Sequence, residues 1–167
     1  MNKIVKVFIW TQVALFGFII GMFILFYGKV AYEDNLTAQE LLDQSYQVIE
    51  TAGGIKHLDS DAILEITDEE IPNLKDYSII RANNVKNINE IGIFRMESDN
   101  NEGFIKEVQR YVEEKKQTYR ALDYFPQEIN KIDNATVRVY GKYIMYSFLN
   151  EEDTLHFYKQ AENLVKK

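Results

Sequence analysis

Two hydrophobic patterns divide the chain. Residues 7–27 form a continuous apolar run, VFIWTQVALFGFIIGMFILFY, with Thr11 and Gln12 as its polar positions. After this run, apolar residues recur at the spacing of amphipathic helices and strands, separated by polar and charged clusters. The pattern predicts a membrane-spanning segment followed by one folded domain.

The apolar run is long enough to cross a bilayer. A helix of that length spans about 32 Å, against about 30 Å for the hydrocarbon core. Lys3 and Lys6 precede the run, whereas Lys29 after it is soon offset by Glu33 and Asp34. Because positive charge is retained in the cytoplasm, we expect a cytoplasmic N-terminus at residues 1–6, a transmembrane signal anchor at 7–28 and an extracytoplasmic domain at 33–167.

Two questions about this segment stay open. A cleaved signal peptide is the alternative to an anchor, but the small-residue cleavage pattern is poor, since cutting after Ala31 places Lys29 three positions back. Gly17 and Gly21 form a G-x-x-x-G spacing, which lets two membrane helices pack closely and indicates a possible homodimer. The alternative is chance, because glycine is common in membrane helices.

Three helices are predicted in the domain. The first begins with Thr37 as N-cap and Glu40 reaching back to it, and ends at Gly53-Gly54. The second opens at residues 98–101 and runs to about Leu122. The third is capped by Asn150, and its inward face is predicted to comprise Leu155, Tyr158, Ala161 and Leu164 or Val165.

Four strands are predicted as two local pairs. Residues 77–81 and 90–96 form the first pair around an Asn-rich turn. Residues 137–140 and 143–148 form the second, joined by Gly141-Lys142 in a type II′ turn. That turn pairs Val139 with Ile144 and Val137 with Tyr146.

The resulting order is α-β-β-α-β-β-α, which predicts an α+β fold with a mostly antiparallel sheet packed on helices. Residues 55–76 are less clear. Ile63, Leu64 and Ile66 indicate a short element there, and Pro72 lies in a turn-rich segment.

Composition excludes several classes of function. All 26 acidic residues follow residue 32 and three of the 19 basic residues precede it, so the chain from Glu33 onward carries a formal charge of about −10. A domain this acidic lacks the positive surface that binds a phosphate backbone, and we expect no nucleic-acid partner. The sequence also has no cysteine, which excludes disulfides, thiolate catalysis and thiolate metal sites.

Three stretches together resemble a known bacterial family. They are Ile91-Gly92-Ile93-Phe94 after a polar loop, Tyr124-Phe125-Pro126 after a long charged helix, and the run VRVYGKY at 137–143. Over roughly residues 37–165 the chain resembles domain of unknown function 4358, which is found mainly in clostridia and their relatives. The resemblance implies a small domain tethered outside the membrane, often as a lipoprotein, although this chain has no cysteine to carry a lipid. It implies no activity for any residue.

Candidate chemistry is sparse. His57 lies near Asp59 and Asp61, and one histidine with two carboxylates is a conceivable metal-ligand set, but a solvated loop with ordinary acids explains the same residues. His156 lies on the last predicted helix. The sequence has no G-x-S-x-G, H-E-x-x-H or glycine-rich phosphate loop. We therefore expect no catalytic residue, no metal and no cofactor, although carboxylates that meet only in the fold would escape this reading.

The remaining candidate is a surface on the second hairpin. Arg138, Tyr140, Tyr143 and Met145 share one face of it, and Arg, Tyr and Met are enriched at protein interfaces. The alternative is that a helix, such as the first one, covers this face. We expect a non-catalytic module that binds another protein of the cell envelope. The alternatives are an envelope hydrolase with an unrecognised acidic site and a structural subunit that self-associates through its membrane helix.

Overall fold

The computed structural model describes residues 31–46, 55–58, 61–67, 71–84, 86–122 and 126–167. Residues Tyr32–Lys166 form one compact unit. Its elements in chain order are α1 (Ala38–Tyr46), β1 (Ile55–Leu58), α2 (Asp61–Leu64), β2 (Leu74–Ala82), β3 (Glu90–Met96), α3 (Glu102–Ala121), α4 (Pro126–Asn134), β4 (Thr136–Tyr140), β5 (Tyr143–Phe148) and α5 (Glu151–Val165).

The five strands form one sheet in the order β1-β2-β3-β5-β4, and every neighbouring pair is antiparallel. This confirms the α+β class and the antiparallel sheet. The predicted element order was incomplete, because it omitted β1 and α4 and left α2 as a short element of unassigned type around Ile63 and Leu64. β1 and α2 contain four residues each, too few for a hydrophobic period to show. Pro126, the last residue of the Tyr124-Phe125-Pro126 stretch, is the first residue of α4, a position where proline's missing N–H leaves no helical hydrogen bond unmade.

The β4–β5 hairpin has the predicted register. Val139 pairs with Ile144 and Val137 pairs with Tyr146. Gly141 has a φ of 55°, whereas Lys142 is not among the residues with positive φ. A positive φ at the first central position alone is the signature of a type II′ turn.

Helices cover both faces of the sheet. On one face α1 and α5 pack over a cluster that includes Ile91, Ile93, Tyr143 and Met145. On the other face α3 and α4 pack over a cluster that includes Phe94, Ile144, Tyr146 and Phe148. The central strands β3 and β5 are therefore buried along their whole length. The face that carries Tyr143 and Met145 is the one that α1 covers, so of the two alternatives left by the sequence, the covered face is correct.

Helix capping follows the sequence signals closely. The Thr37 Oγ1 accepts from the Glu40 N–H at 3.1 Å, and a Glu40 carboxylate oxygen accepts from the Thr37 N–H at 2.8 Å, as a capping box requires. The Asn150 Oδ1 accepts from the Asp153 N–H at 2.8 Å at the start of α5. Both predicted caps are confirmed.

The predicted segments 1–6 and 7–28, with Gly17 and Gly21, lie outside the described residues, as does the predicted Gly53-Gly54 helix end. Within the described ranges, no helix combines the length and the apolar character needed to span a membrane.

Candidate functional site

A cluster of charged and phenolic side chains surrounds the buried carboxylate of Glu90, the first residue of β3. Its partners come from three other elements. Arg81 lies on β2, Tyr111 and Lys115 lie one helical turn apart on α3, and Tyr146 lies on β5. We call this set, together with Glu65 after α2, the Glu90 cluster.

Both oxygens of the Glu90 carboxylate are hydrogen-bonded twice. The Oε2 atom accepts from the Arg81 Nε at 2.5 Å and from the Lys115 Nζ at 2.5 Å. The Oε1 atom accepts from the hydroxyls of Tyr111 at 2.6 Å and Tyr146 at 2.7 Å. Glu90 is thereby fully satisfied although its side chain has no exposed surface.

The electrostatics keep this carboxylate ionised. Burial alone would raise the pKa of the Glu90 carboxyl, but the positive charges of Lys115 and Arg81 outweigh that effect and hold the pKa below its usual value. Burial and the adjacent Glu90 charge raise the pKa values of Tyr111 and Tyr146 above the ordinary tyrosine range. Both phenols therefore stay protonated and act as donors.

Gly92 creates the space that lets Tyr146 reach Glu90. Gly92 and Tyr146 are paired across β3 and β5. A Cβ atom built on Gly92 would lie 2.1 Å from the Tyr146 ring, far inside contact distance. The glycine of the Ile91-Gly92-Ile93-Phe94 stretch is thus required by the close approach of an aromatic ring.

The Glu90 cluster is balanced in charge, and its members bond to one another. Its two acids, Glu65 and Glu90, are matched by Arg81 and Lys115, and the Arg81 Nη2 donates to the Glu65 Oε2 at 2.6 Å. Lys115 also lies over the Tyr111 ring, 4.7 Å from its centroid. Because these groups are engaged with one another, the arrangement serves to hold α2, α3, β2, β3 and β5 together.

An open groove lies between β4 and α5, at the edge of the sheet that β4 forms. Its volume is about 630 Å³, and it adjoins a hollow of about 700 Å³ near the start of α5. We call it the β4–α5 groove. It is lined by Asp133, Asn134, Ala135, Thr136, Arg138, Tyr140, Glu151, Thr154, Leu155, Tyr158, Lys159 and Glu162.

Arg138 and Tyr140, two of the four predicted contact residues, line this groove, but Tyr140 is buried, with 8% of its surface exposed, and belongs to the same core cluster as Tyr143 and Met145. Arg138 is exposed, and its guanidinium carbon lies 5.4 Å from the centroid of the Tyr158 ring. Tyr143 and Met145 are fully buried beneath α1 and α5. The Tyr143 hydroxyl donates to the Leu36 carbonyl at 2.6 Å, so its polar group is engaged inside the domain.

Leu155 is a groove residue that the sequence pattern placed incorrectly. It was predicted to face the core, but it is 69% exposed, whereas Tyr158, Ala161 and Val165 are buried as predicted. Helical spacing predicts which side of α5 is apolar but not where that apolar side ends. Leu155 lies beyond the reach of the sheet and forms a wall of the groove.

The histidines are not brought to this groove. His57 lies on β1, opposite Ile80, and Asp59 lies outside the described residues. On α5, an imidazole nitrogen of His156 lies 3.4 Å from the Gln160 side-chain nitrogen. The described ranges contain no group of three or more histidine and carboxylate side chains placed to hold a metal.

The fold and its clusters define a small α+β domain with a helix-covered antiparallel sheet. The chain belongs to the family Domain of unknown function (DUF4358), whose family model matches residues 55–149. No curated protein and no solved structure matches the chain. The match runs from β1 through β5 and includes Glu90, Gly92 and Arg138, while α1 and α5 lie outside it.

Proposed function

We propose that this chain is a membrane-anchored, extracytoplasmic module of the cell envelope that binds another protein and has no catalytic activity of its own. The observation that carries the proposal is the open β4–α5 groove, which combines an edge strand, an exposed arginine stacked on an aromatic ring, and an exposed leucine. Arg and Tyr at a concave site with an apolar wall are typical of protein recognition.

The distribution of reactive groups favours binding over catalysis. The carboxylate, lysine and tyrosine side chains of the Glu90 cluster bond to one another. A second charged group is likewise paired internally, and it comprises Asp34, Asp76, Lys75, Arg95 and Lys142. A general acid or base must reach substrate. The groove is lined instead by an arginine, a lysine, a leucine and three acids, Asp133, Glu151 and Glu162, of which Asp133 is paired with Arg120 and Glu162 with Lys166.

The anchor supports the same proposal from the sequence. The apolar run at 7–27, preceded by Lys3 and Lys6, is suited to hold the domain at the outer surface of the membrane. Confinement to that surface raises the effective concentration of the groove toward partners in the same membrane. A groove of modest intrinsic affinity then reaches useful occupancy.

Site-specific photocrosslinking in intact cells tests the proposal. A photoreactive residue is placed at Leu155 in the groove, and a matched one at Leu64, which is 60% exposed on α2 on the other side of the sheet. We expect a discrete envelope partner to be captured from position 155 and not from position 64. Equal capture at both positions, or at neither, would contradict a binding role for the groove. Capture of second copies alone would favour a self-associating subunit.

A further inference from the structure

We propose that the β4–α5 groove takes an extended segment of the partner protein, which lies alongside β4 and places a carboxylate on Arg138. This inference rests on the proposed function and specifies the chemistry of the partner. Two features of the groove carry it: the edge position of β4, and the lack of a carboxylate partner for Arg138 among the described residues.

β4 is available as a template for another strand. It is the terminal strand of the described sheet, with β5 on its inner side. Its five residues, TVRVY, contain no proline, lysine or glycine, and its pairing with β5 is regular throughout. Proteins protect sheet edges with proline, charged side chains, bulges or very short strands, and of these devices β4 carries a single charged residue, Arg138. At one end of the strand the Thr136 carbonyl accepts from the Tyr158 hydroxyl at 2.7 Å. A regular edge of about 17 Å beside an open groove suits the addition of a partner strand.

Arg138 is distinguished from the other arginines by its charge environment. The chain has five arginines, and the structure describes all of them. Four form salt bridges with carboxylates, namely Arg81, Arg95, Arg110 and Arg120. Arg138 has no carboxylate within salt-bridge distance among the described residues. In a domain with this excess of acids, a groove-facing arginine stacked on Tyr158 is oriented to receive a carboxylate from outside.

The walls of the groove do not supply that carboxylate. Asp133 is paired with Arg120 at 2.7 Å, and Glu162 lies 3.6 Å from Lys166. Glu151 lies in the first turn of α5, where the helix dipole stabilises negative charge. Three acids, Asp133, Glu151 and Glu162, outnumber Arg138 and Lys159 in the lining, but neither basic side chain has a carboxylate within salt-bridge distance among the described residues.

The charge of Arg138 disfavours a second copy of this chain as the occupant. Antiparallel pairing of β4 with its own copy, centred on the middle residue, would place Arg138 opposite Arg138. Like charges directly opposite in a sheet are destabilising. An acidic or Glu-bearing segment from another protein avoids this repulsion, and an apolar side chain at an alternate position of that segment would contact Leu155.

The test is selection of displayed random peptides on the full-length chain in detergent micelles. The enriched peptide is then synthesised in three forms. The first is the selected sequence with its Glu, the second has Gln in place of that Glu, and the third has N-methyl groups on alternate backbone amides. Binding is measured by calorimetry to the wild-type chain and to Arg138→Gln, Leu155→Glu and Lys159→Gln. Thermal unfolding of each variant checks that the domain is folded.

We expect Arg138→Gln and the Glu→Gln change in the peptide each to weaken binding about tenfold. The two changes together should weaken binding no more than either one alone, because both remove the same interaction. Lys159→Gln, the matched loss of charge in the same groove, should weaken binding by less than about threefold. N-methylation on one set of alternate amides should abolish binding, because it removes strand hydrogen bonds.

Other outcomes separate the two proposals. If Leu155→Glu abolishes binding but Arg138→Gln and N-methylation leave it unchanged, the groove is a binding site and the strand-and-carboxylate inference is wrong. If binding is indifferent to Leu155→Glu as well, the proposed function of the groove fails with it. Self-association lost on Arg138→Gln would also overturn the inference, because the occupant would then be a second copy.

Discussion

Gly92 lies directly opposite Tyr146 in the β3–β5 ladder, and the tyrosine ring occupies the space in which any other residue would place its side chain. The ring crosses β3 to donate its hydroxyl hydrogen bond to Glu90, two residues before the glycine. The lack of a side chain at Gly92 thus allows the buried Glu90 carboxylate to accept a hydrogen bond from Tyr146 on the neighbouring strand.

Replacing that glycine should be costly. We expect Gly92→Ala to lower the free energy of unfolding by about 2 to 3 kcal/mol, because the new methyl group would displace the Tyr146 ring. Gly103→Ala is the matched control, since a Cβ there meets nothing within 4 Å. Gly103 lies near the start of α3, so its replacement should stabilise the domain by up to about 1 kcal/mol. Urea unfolding of both variants measures this, and equal effects would exclude a steric role for Gly92.

Removing the buried charge should destabilise the domain further. Glu90→Gln leaves Arg81 and Lys115 without their shared carboxylate, and breaking such a buried pair costs about 3 to 5 kcal/mol. The control is Glu114→Gln, which removes an exposed partner of Arg110 and should change stability by less than about 0.5 kcal/mol. If the two variants unfold at the same denaturant concentration, the Glu90 cluster contributes little to stability.

Stability should also fall in acid in a way that depends on Glu90. The pKa of Glu90 is lower in the folded chain than the ordinary value of 4.5. Its contribution is therefore complete above that unfolded pKa and is lost as the pH falls through the folded pKa. Unfolding free energies from pH 7 down to pH 3 should decline less steeply in Glu90→Gln than in the wild-type chain. Parallel declines would show that the acid sensitivity comes from other carboxylates, such as Asp34, whose pKa is also lowered.

The proposed orientation in the membrane can be tested with single cysteines, because the chain has none of its own. In intact cells, a membrane-impermeant maleimide should label Leu155→Cys and leave Asn2→Cys unlabelled until the cells are opened. Leu155 is an exposed site in the domain, and residue 2 lies before the predicted span. Labelling of Asn2→Cys in intact cells, or protection of Leu155→Cys, would contradict the orientation.

The parts of the fold that follow from local signals were predictable. The bounds of β3, the β4–β5 register and the caps at Thr37 and Asn150 each depend on residues within a few positions of one another. Such features can be predicted from the sequence because the residues that determine them are close together along the chain.

The candidate sites were predictable only in part. Arg138 and Tyr140 were named from the alternation of the hairpin, and they line the groove. The burial of Glu90 depends on partners at positions 81, 111, 115 and 146, which lie on three different elements, and helical periodicity links only 111 with 115. An acidic residue at the start of an apolar strand, two positions before a glycine, was the available signal.

The Glu90 cluster has a consequence for assembly of the domain. Arg81 and Glu90 belong to the local β2–β3 pair, whereas Tyr146 belongs to the local β4–β5 pair, and the two meet only when the chain closes across α3 and α4. Such non-local closure is slow relative to hairpin formation. If the Tyr146–Glu90 hydrogen bond forms only after this slow step, Tyr146→Phe should accelerate unfolding and leave the folding rate nearly unchanged. A shift of one residue between β3 and β5 would turn the Tyr146 hydroxyl away from Glu90 and leave a buried charge short of a partner. The Glu90 cluster therefore favours the observed register between β3 and β5 over a shifted one when the two halves of the sheet pair.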